Sequence, residues 1–238
     1  MAMQQHNKTK RQRLTPSAPG NGVLEARRAR IQTLDRVLKR LFPEANMALK
    51  WSTHWELVVA VILSAQCTDK KVNEVTEQLF AKYRTLDEYC NADPEQFAQD
   101  IHQTGFFRSK TKSILAAAHR LRDVYGGELP RTMEEMLTLP GVARKTANVV
   151  LGNAYGIVEG IAVDTHVKRF AIRFDLTDHT DPVKIERDLM ELLSKKDWFT
   201  FTYRVIEYGR HIAPARKYDT STDPLVKCYP PAGKVFRV

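Results

Sequence analysis

A lysine and an arginine at the start of a helix make an anion site. In Leu137-Thr138-Leu139-Pro140-Gly141-Val142-Ala143-Arg144-Lys145-Thr146-Ala147-Asn148-Val149-Val150 the sequence sets one up. Proline cannot donate the next backbone bond and glycine admits positive φ, so Pro140-Gly141 stops a helix. That helix should begin near Met133, where Thr132 and Glu135 have the spacing of a capping box. A second helix follows the break, with Val142, Thr146, Val149 and Val150 along one face. So tight a hairpin leaves the second helix's first amides pointing outward with no partner. Free N–H groups and the helix dipole attract an anion there. With Arg144 and Lys145 in the same turn, that anion should be a nucleic-acid phosphate. Gly141, Ala143, Arg144 and Thr146 are the candidate backbone contacts.

Charge agrees with this. The 238 residues hold 37 Lys+Arg against 28 Asp+Glu, a formal net charge of +9. Such an excess favours an acidic partner, nucleic acid or an anionic membrane surface. A hydrophobic share of 43% with 27% charged residues is ordinary for a globular protein able to bury a good core in one domain or two. No apolar run approaches the ~18 residues of a membrane span. The first residues lack the apolar segment of a secretory signal, so none is expected. Cys67, Cys90 and Cys228 are isolated, which suits a reducing compartment and argues against a disulfide framework.

The elements that must position the hairpin read as helices throughout. Residues 1–22, with Lys8, Lys10, Arg11 and Arg13 and then Pro16, Pro19, Gly20 and Gly22, read as a disordered basic arm. From Leu24 the period is helical, with Ile31, Leu34, Val37, Leu38 and Leu41 on one face until Pro43. Residues 55–66 are apolar on nearly every side, as a buried central helix would be. Thr68-Asp69, Thr85 with Glu88, Asp93-Pro94, Ser109 and Asp181-Pro182 mark further helix starts. Only short runs such as Ile161–Val163 are ambiguous, and the expected class is all-α.

Leu139-Pro140-Gly141-Val142-Ala143-Arg144-Lys145-Thr146-Ala147 resembles the helix-hairpin-helix of endonuclease III-like DNA glycosylases. Two more segments share the likeness: Ala162-Val163-Asp164-Thr165-His166, and Leu63-Ser64-Ala65-Gln66-Cys67-Thr68-Asp69. Together they carry the resemblance from about Leu24 to His211. It implies two helical domains with the DNA groove between them. Residues 47–158 would form a six-helix domain holding the hairpin, and 23–46 with 159–238 a helical bundle. It also implies roles. Cleaving a base from its sugar passes through a cationic state that a carboxylate stabilises, and an amine can capture the sugar as a Schiff base. Lys145 would be that amine and Asp164 that carboxylate. Otherwise Lys145 is a plain phosphate contact and Asp164 an N-cap, and Asp164 could do both jobs. Gln66 would fill the gap left by the extruded nucleotide, or cap a helix C-terminus. Phe106 would be a second wedge, or a core aromatic. His166 would touch DNA near the pocket, or be a buried structural histidine.

The likeness breaks near the C-terminus. Most of the family carries a four-iron, four-sulfur cluster on four cysteines there. The corresponding positions hold Ala213, Thr220, Asp223 and, near the fourth, Cys228. One cysteine cannot hold a cluster that needs about four thiolates, so no iron–sulfur cofactor and no metal is expected. Tyr218, Leu225, Val226, Tyr229 and Pro230-Pro231 should pack the tail instead, leaving Arg210, Arg216, Lys217 and Lys227 as a protein-only contact to DNA. Ala143 also replaces the hairpin's usual glycine, at a cost if that position needs positive φ. The sequence thus implies a bifunctional glycosylase with abasic-site lyase activity in base excision repair, acting on oxidised pyrimidines. Its partner would be double-stranded DNA bearing a damaged base or abasic site. It should be a monomer, cytoplasmic and nucleoid-associated if bacterial. A related glycosylase for mismatched thymine or uracil, or for a purine, is the neighbouring reading; a non-catalytic DNA-binding protein is the rival from another class.

Overall fold

The computed structural model describes residues 20–215 and 218–234. The basic arm lies outside these residues except for positions 20–22, and Arg216 and Lys217 lie outside them as well. Twelve α-helices and no strand occur among the described residues, so the chain is all-α. They are α1 (Asn21–Leu41), α2 (His54–Leu63), α3 (Asp69–Lys82), α4 (Leu86–Cys90), α5 (Pro94–Asp100), α6 (Phe107–Tyr125), α7 (Met133–Met136), α8 (Arg144–Tyr155), α9 (Thr165–Arg173), α10 (Pro182–Leu192), α11 (Trp198–His211) and α12 (Pro224–Cys228).

Buried side chains form two clusters. One is built by α2 to α8 around the apolar α2, whose residues Leu57 to Leu63 are all buried. The other joins α1 to α9, α10, α11 and α12. The extended link before α9 is shared between them: Ala162 packs in the first cluster, Ile161 and Val163 in the second. Alternation of that kind is what an extended segment between two cores requires. Ion pairs fasten α1 to the second cluster, with Arg27 on Asp178 at 2.7 Å and Lys39 on Asp197 at 2.7 Å.

Side-chain caps decide most helix starts. Thr85, Asp93 and Asp181 each accept the amide three residues on, and Pro94 and Pro182 follow as first helical residues. Thr132 accepts from the Glu135 amide at 3.3 Å, but its hydroxyl donates to Glu135 Oε2 at 2.7 Å, a variant of the expected capping box. Two starts had no notice in the sequence reading: Thr53 with Glu56, a full capping box on α2, and Asp223 before Pro224 on α12. One start differs from expectation. Ser109 does not open a helix; α6 already begins at Phe107. Gly105 (φ 69°) and Phe106 (φ 49°) swing the chain straight into helical geometry, so no side-chain cap is used.

The C-terminal tail closes on Asp223, whose side chain is fully buried. Its Oδ1 accepts from the Leu225 amide at 2.7 Å and caps α12, and its Oδ2 accepts the hydroxyls of Tyr208 and Tyr218. Burial first, and then the carboxylate, push Tyr218 up to about 12 and Tyr208 further up, so both stay donors. Asp223→Ala would strand two phenols and remove a cap, and should cost about 2–4 kcal/mol in denaturant unfolding. Cys228 is exposed, and Cys228→Ser should stay within about 0.5 kcal/mol of the parent. Equal, small losses for both would show that Asp223 does not hold the tail.

Candidate active site

The hairpin joins α7 to α8 through Leu137–Ala143. Gly141 is required twice over. Its φ is 80°, and a Cβ there would lie 2.7 Å from the Ser113 Cβ. Ala143, by contrast, sits at φ −89° and ψ 170°, so alanine in place of glycine carries no conformational penalty at that position. It is the N-cap of α8 and offers no side-chain cap, so the helix's first amides remain available to an anion. Arg144 has a partner within the fold as well: its Nε donates to the buried Glu186 at 2.7 Å. That commits Nε and leaves the partly exposed guanidinium's other N–H groups, the amides, Lys145 and Thr146 as the hairpin's groups toward a phosphate.

Lys145 and Asp164 meet in one cleft of about 530 Å³ between the two clusters. Gln66, His166, Tyr203 and Arg210 also line it. Packing of α2 on α8 brings the Ser64–Thr68 loop beside Lys145, while the extended link delivers Asp164 from the far side. Asp164 caps α9, with Oδ1 accepting from the Val167 amide at 2.8 Å. Its Oδ2 has no hydrogen-bond partner among the described residues, so capping and a charge toward the cleft coexist in one carboxylate.

Gln66 is exposed and has φ 53°; the C-cap of α2 is Ser64, which disposes of a capping role for Gln66. Phe106 has φ 49° and is 65% exposed, so it is not a core aromatic. Left-handed backbone costs a non-glycine residue about 1–2 kcal/mol, and such strain gathers at functional sites. Asp175 is the third such residue among those described, and ion pairs with Arg27 and Arg30 hold it. His166 lines the cleft with its ring against Gly209, where a Cβ would lie 2.1 Å from Nδ1. That Nδ1 is buried without a hydrogen-bond partner among the described residues.

The sequence names Arg210 as a DNA contact but gives no sign of the pairings that lock the cleft's walls together. Arg210 pairs with Asp69 across the cleft and with Glu207 at 3.0 Å, so its charge is already engaged. Asn153 Nδ2 donates to the Tyr203 hydroxyl at 2.6 Å, and Thr202 donates to the Ala162 carbonyl at 3.2 Å. Glu186 takes Asn148 as well as Arg144. Apart from Arg210 with Glu207, one turn earlier on α11, these are contacts between residues distant in sequence, for which short motifs give no signal.

An all-helical fold with an uncapped hairpin helix and a lysine–aspartate pair in the groove between two cores defines a class. Residues 59–195 match the HhH-GPD superfamily of base excision DNA repair proteins. The chain is 50% identical over 181 residues to endonuclease III of Synechocystis sp., covering 76% of this chain and 83% of that one. It is 38% identical to a solved non-covalent endonuclease III–DNA complex, with a TM-score of 0.83 over 87% of this chain and 97% of that one. A trapped endonuclease III–DNA covalent intermediate, the estranged-adenine complex, is equally similar, at 38% identity and a TM-score of 0.83 over 88% and 99% of the two chains. The protein belongs to the endonuclease III family. It is a DNA glycosylase and abasic-site lyase of base excision repair.

The iron–sulfur cluster carried by much of that family does not fit the residues present. Ala213 is buried and carries no ligand atom, Asp223 is committed to two phenols and a cap, and Cys228 is exposed with Sγ on the Pro224 carbonyl at 3.3 Å. No three metal-ligating side chains come together among the described residues.

Burial holds the His166 imidazole below its ordinary value of 6.5; Arg169 and Arg210 add to this, while Asp164 and Asp69 oppose it. The unfolded chain therefore takes up that proton more readily. The contribution to stability is complete above about pH 6.5 and is lost as pH falls toward the folded value. Denaturant unfolding at about pH 7.5 and 5.5 should show the stability difference between the parent and His166→Asn moving against the parent at the lower pH. A pH-independent difference would mean the ring is protonated as freely in the fold as in water.

Proposed function

We propose that this chain excises oxidised pyrimidines from duplex DNA and cleaves the resulting abasic strand, with Lys145 as nucleophile and Asp164 assisting. The observation that carries this is the amine and the carboxylate opening to one cleft at an uncapped helix N-terminus. The backbone phosphate docks on the hairpin amides, and the flipped nucleotide enters the cleft. Lys145 Nζ attacks the anomeric carbon as the bond to the base breaks, and the base leaves with the bonding pair and takes up a proton. Asp164 stabilises the cationic sugar in passing. Ring opening gives the imine, which acidifies the neighbouring C2′ proton; its loss expels the 3′ phosphate. A trapped covalent complex in a relative of 38% identity supports this chemistry.

Gln66 enters the stack to fill the vacated space and Phe106 wedges beside it, which the strain and exposure of both support. His166, as a neutral imidazole at the cleft wall, contacts DNA near the pocket. The protein works as a monomer without an iron–sulfur cluster, and purified material should hold no stoichiometric iron. No helix among the described residues is long and apolar enough to cross a membrane, which is compatible with a place on the nucleoid.

Two substitutions test the assignment on a panel of single-lesion duplexes. Lys145→Gln should abolish borohydride trapping and strand cleavage while duplex affinity stays largely intact, since one charge among many is lost. Asp164→Asn keeps a capping oxygen and should slow excision by roughly two to three orders of magnitude with little change in stability. Preference for a purine or a mismatched thymine across the panel would overturn the oxidised-pyrimidine assignment.

A further inference from the structure

Lys110 is the fourth residue of α6, at the end of its first turn, and is only 5% exposed. Lysines are almost never buried unless paired. No carboxylate meets this one among the described residues. Its Nζ donates instead to two backbone carbonyls, Leu63 at 2.8 Å and Thr104 at 2.7 Å. Leu63 is the last residue of α2, and Thr104 the last of the short 3-10 turn His102–Thr104. Each carbonyl is one of the acceptors a helix end leaves without a partner.

Those two helix ends launch the two strained loops. Gln66 lies three residues beyond Leu63 and Phe106 two beyond Thr104, both in left-handed backbone. One ammonium thus anchors the base of both loops, which come from segments some forty residues apart. Burial lowers the tendency of this amine to hold its proton, so the fold retains a costly group here. Neither hydrogen bond serves the core, which a methionine of similar length would fill.

We propose that Lys110 is a positioning residue that holds the Gln66 and Phe106 loops in a fixed relation, so that both side chains enter the DNA stack as one unit. The inference rests on the reading that these two residues enter DNA. It assigns Lys110 no contact with substrate.

Lys110→Met tests it, compared in the parent and in a Gln66→Ala/Phe106→Ala background. In the parent the substitution should slow excision from lesion-bearing duplex by roughly ten- to a hundredfold, the scale expected of a misplaced positioning group. It should also reduce the fluorescence rise of 2-aminopurine placed opposite the lesion. Strand cleavage of a single-stranded abasic oligonucleotide, where no gap needs filling, should be unchanged. In the double-alanine background Lys110→Met should have almost no further effect on duplex excision. Lys110→Gln, which keeps two N–H donors, should recover part of the loss, and it takes over the comparison if the methionine variant does not fold. The same fold-loss in both backgrounds overturns the proposal and leaves Lys110 a structural clamp; so does failure of both variants to fold. If Gln66→Ala and Phe106→Ala themselves leave duplex excision intact, the wedge reading fails first and the proposal falls with it.

Discussion

The active site depends on one buried carboxylate. Glu186 reaches from α10 in the second cluster to α8 in the first, accepting Arg144 Nε at 2.7 Å and Asn148 Nδ2 at 2.8 Å. It also lies so close to Gly160 that a Cβ there would approach Oε1 to 1.9 Å. The hairpin helix, the second core and the link leading to Asp164 are therefore fixed at one point. Lys145 and Asp164 arise from different sides of the cleft, and their separation is only as well defined as that junction. Glu186 is buried while Arg144 is partly exposed, so removing either donor would leave a buried carboxylate short of a partner, which favours the joined arrangement. Arg144 is consequently a brace of the hairpin helix, and in the proposed function the phosphate meets the amide donors with the charges of Arg144 and Lys145 beside them.

In the proposed function the cleft separates groups held in place from groups that move into DNA. Asp164 is held by its own helix, since capping α9 fixes one oxygen and leaves the other without a partner among the described residues at the cleft wall. Gln66 and Phe106 stand on left-handed backbone outside the cores, where backbone strain is tolerated because carbonyls behind them are anchored. Asp69 with Arg210, and Asn153 with Tyr203, tie the cleft's walls without entering the lysine–aspartate pair. The tail is organised on the same physical footing: a fully buried Asp223 with two phenol donors does by hydrogen bonding what a cross-link would do covalently.

Much of this was legible in the residues. Helical period and capping pairs gave the all-α class and starts such as those after Thr85, Asp93 and Asp181, because caps are local chemistry. The hairpin at Pro140-Gly141 was legible for the same reason. Ser109 misled because Gly105 and Phe106 turn the chain by backbone conformation, which a scan for capping side chains misses. The feared penalty at Ala143 does not arise, since the positive φ falls at Gly141 instead. Site residues were nameable through short stretches that resemble a family, three motifs and, for Phe106, the segment 104–110; residue chemistry alone gave only a phosphate-binding hairpin. The roles of Glu186 and Lys110, and the pairing of Arg210 with Asp69, were invisible because the partners lie 47 residues away for Lys110 and Leu63, and 141 for Arg210 and Asp69. Such pairings are made by tertiary packing.

The central claim is that the amine of Lys145, among the chain's many lysines, captures the sugar. Borohydride reduction of the enzyme on a lesion-bearing duplex, nuclease trimming and peptide mapping by mass spectrometry would locate the bond directly. The account predicts a single nucleotide adduct on the peptide containing Lys145. An adduct on another amine, Lys168 beyond Asp164 for instance, would contradict it.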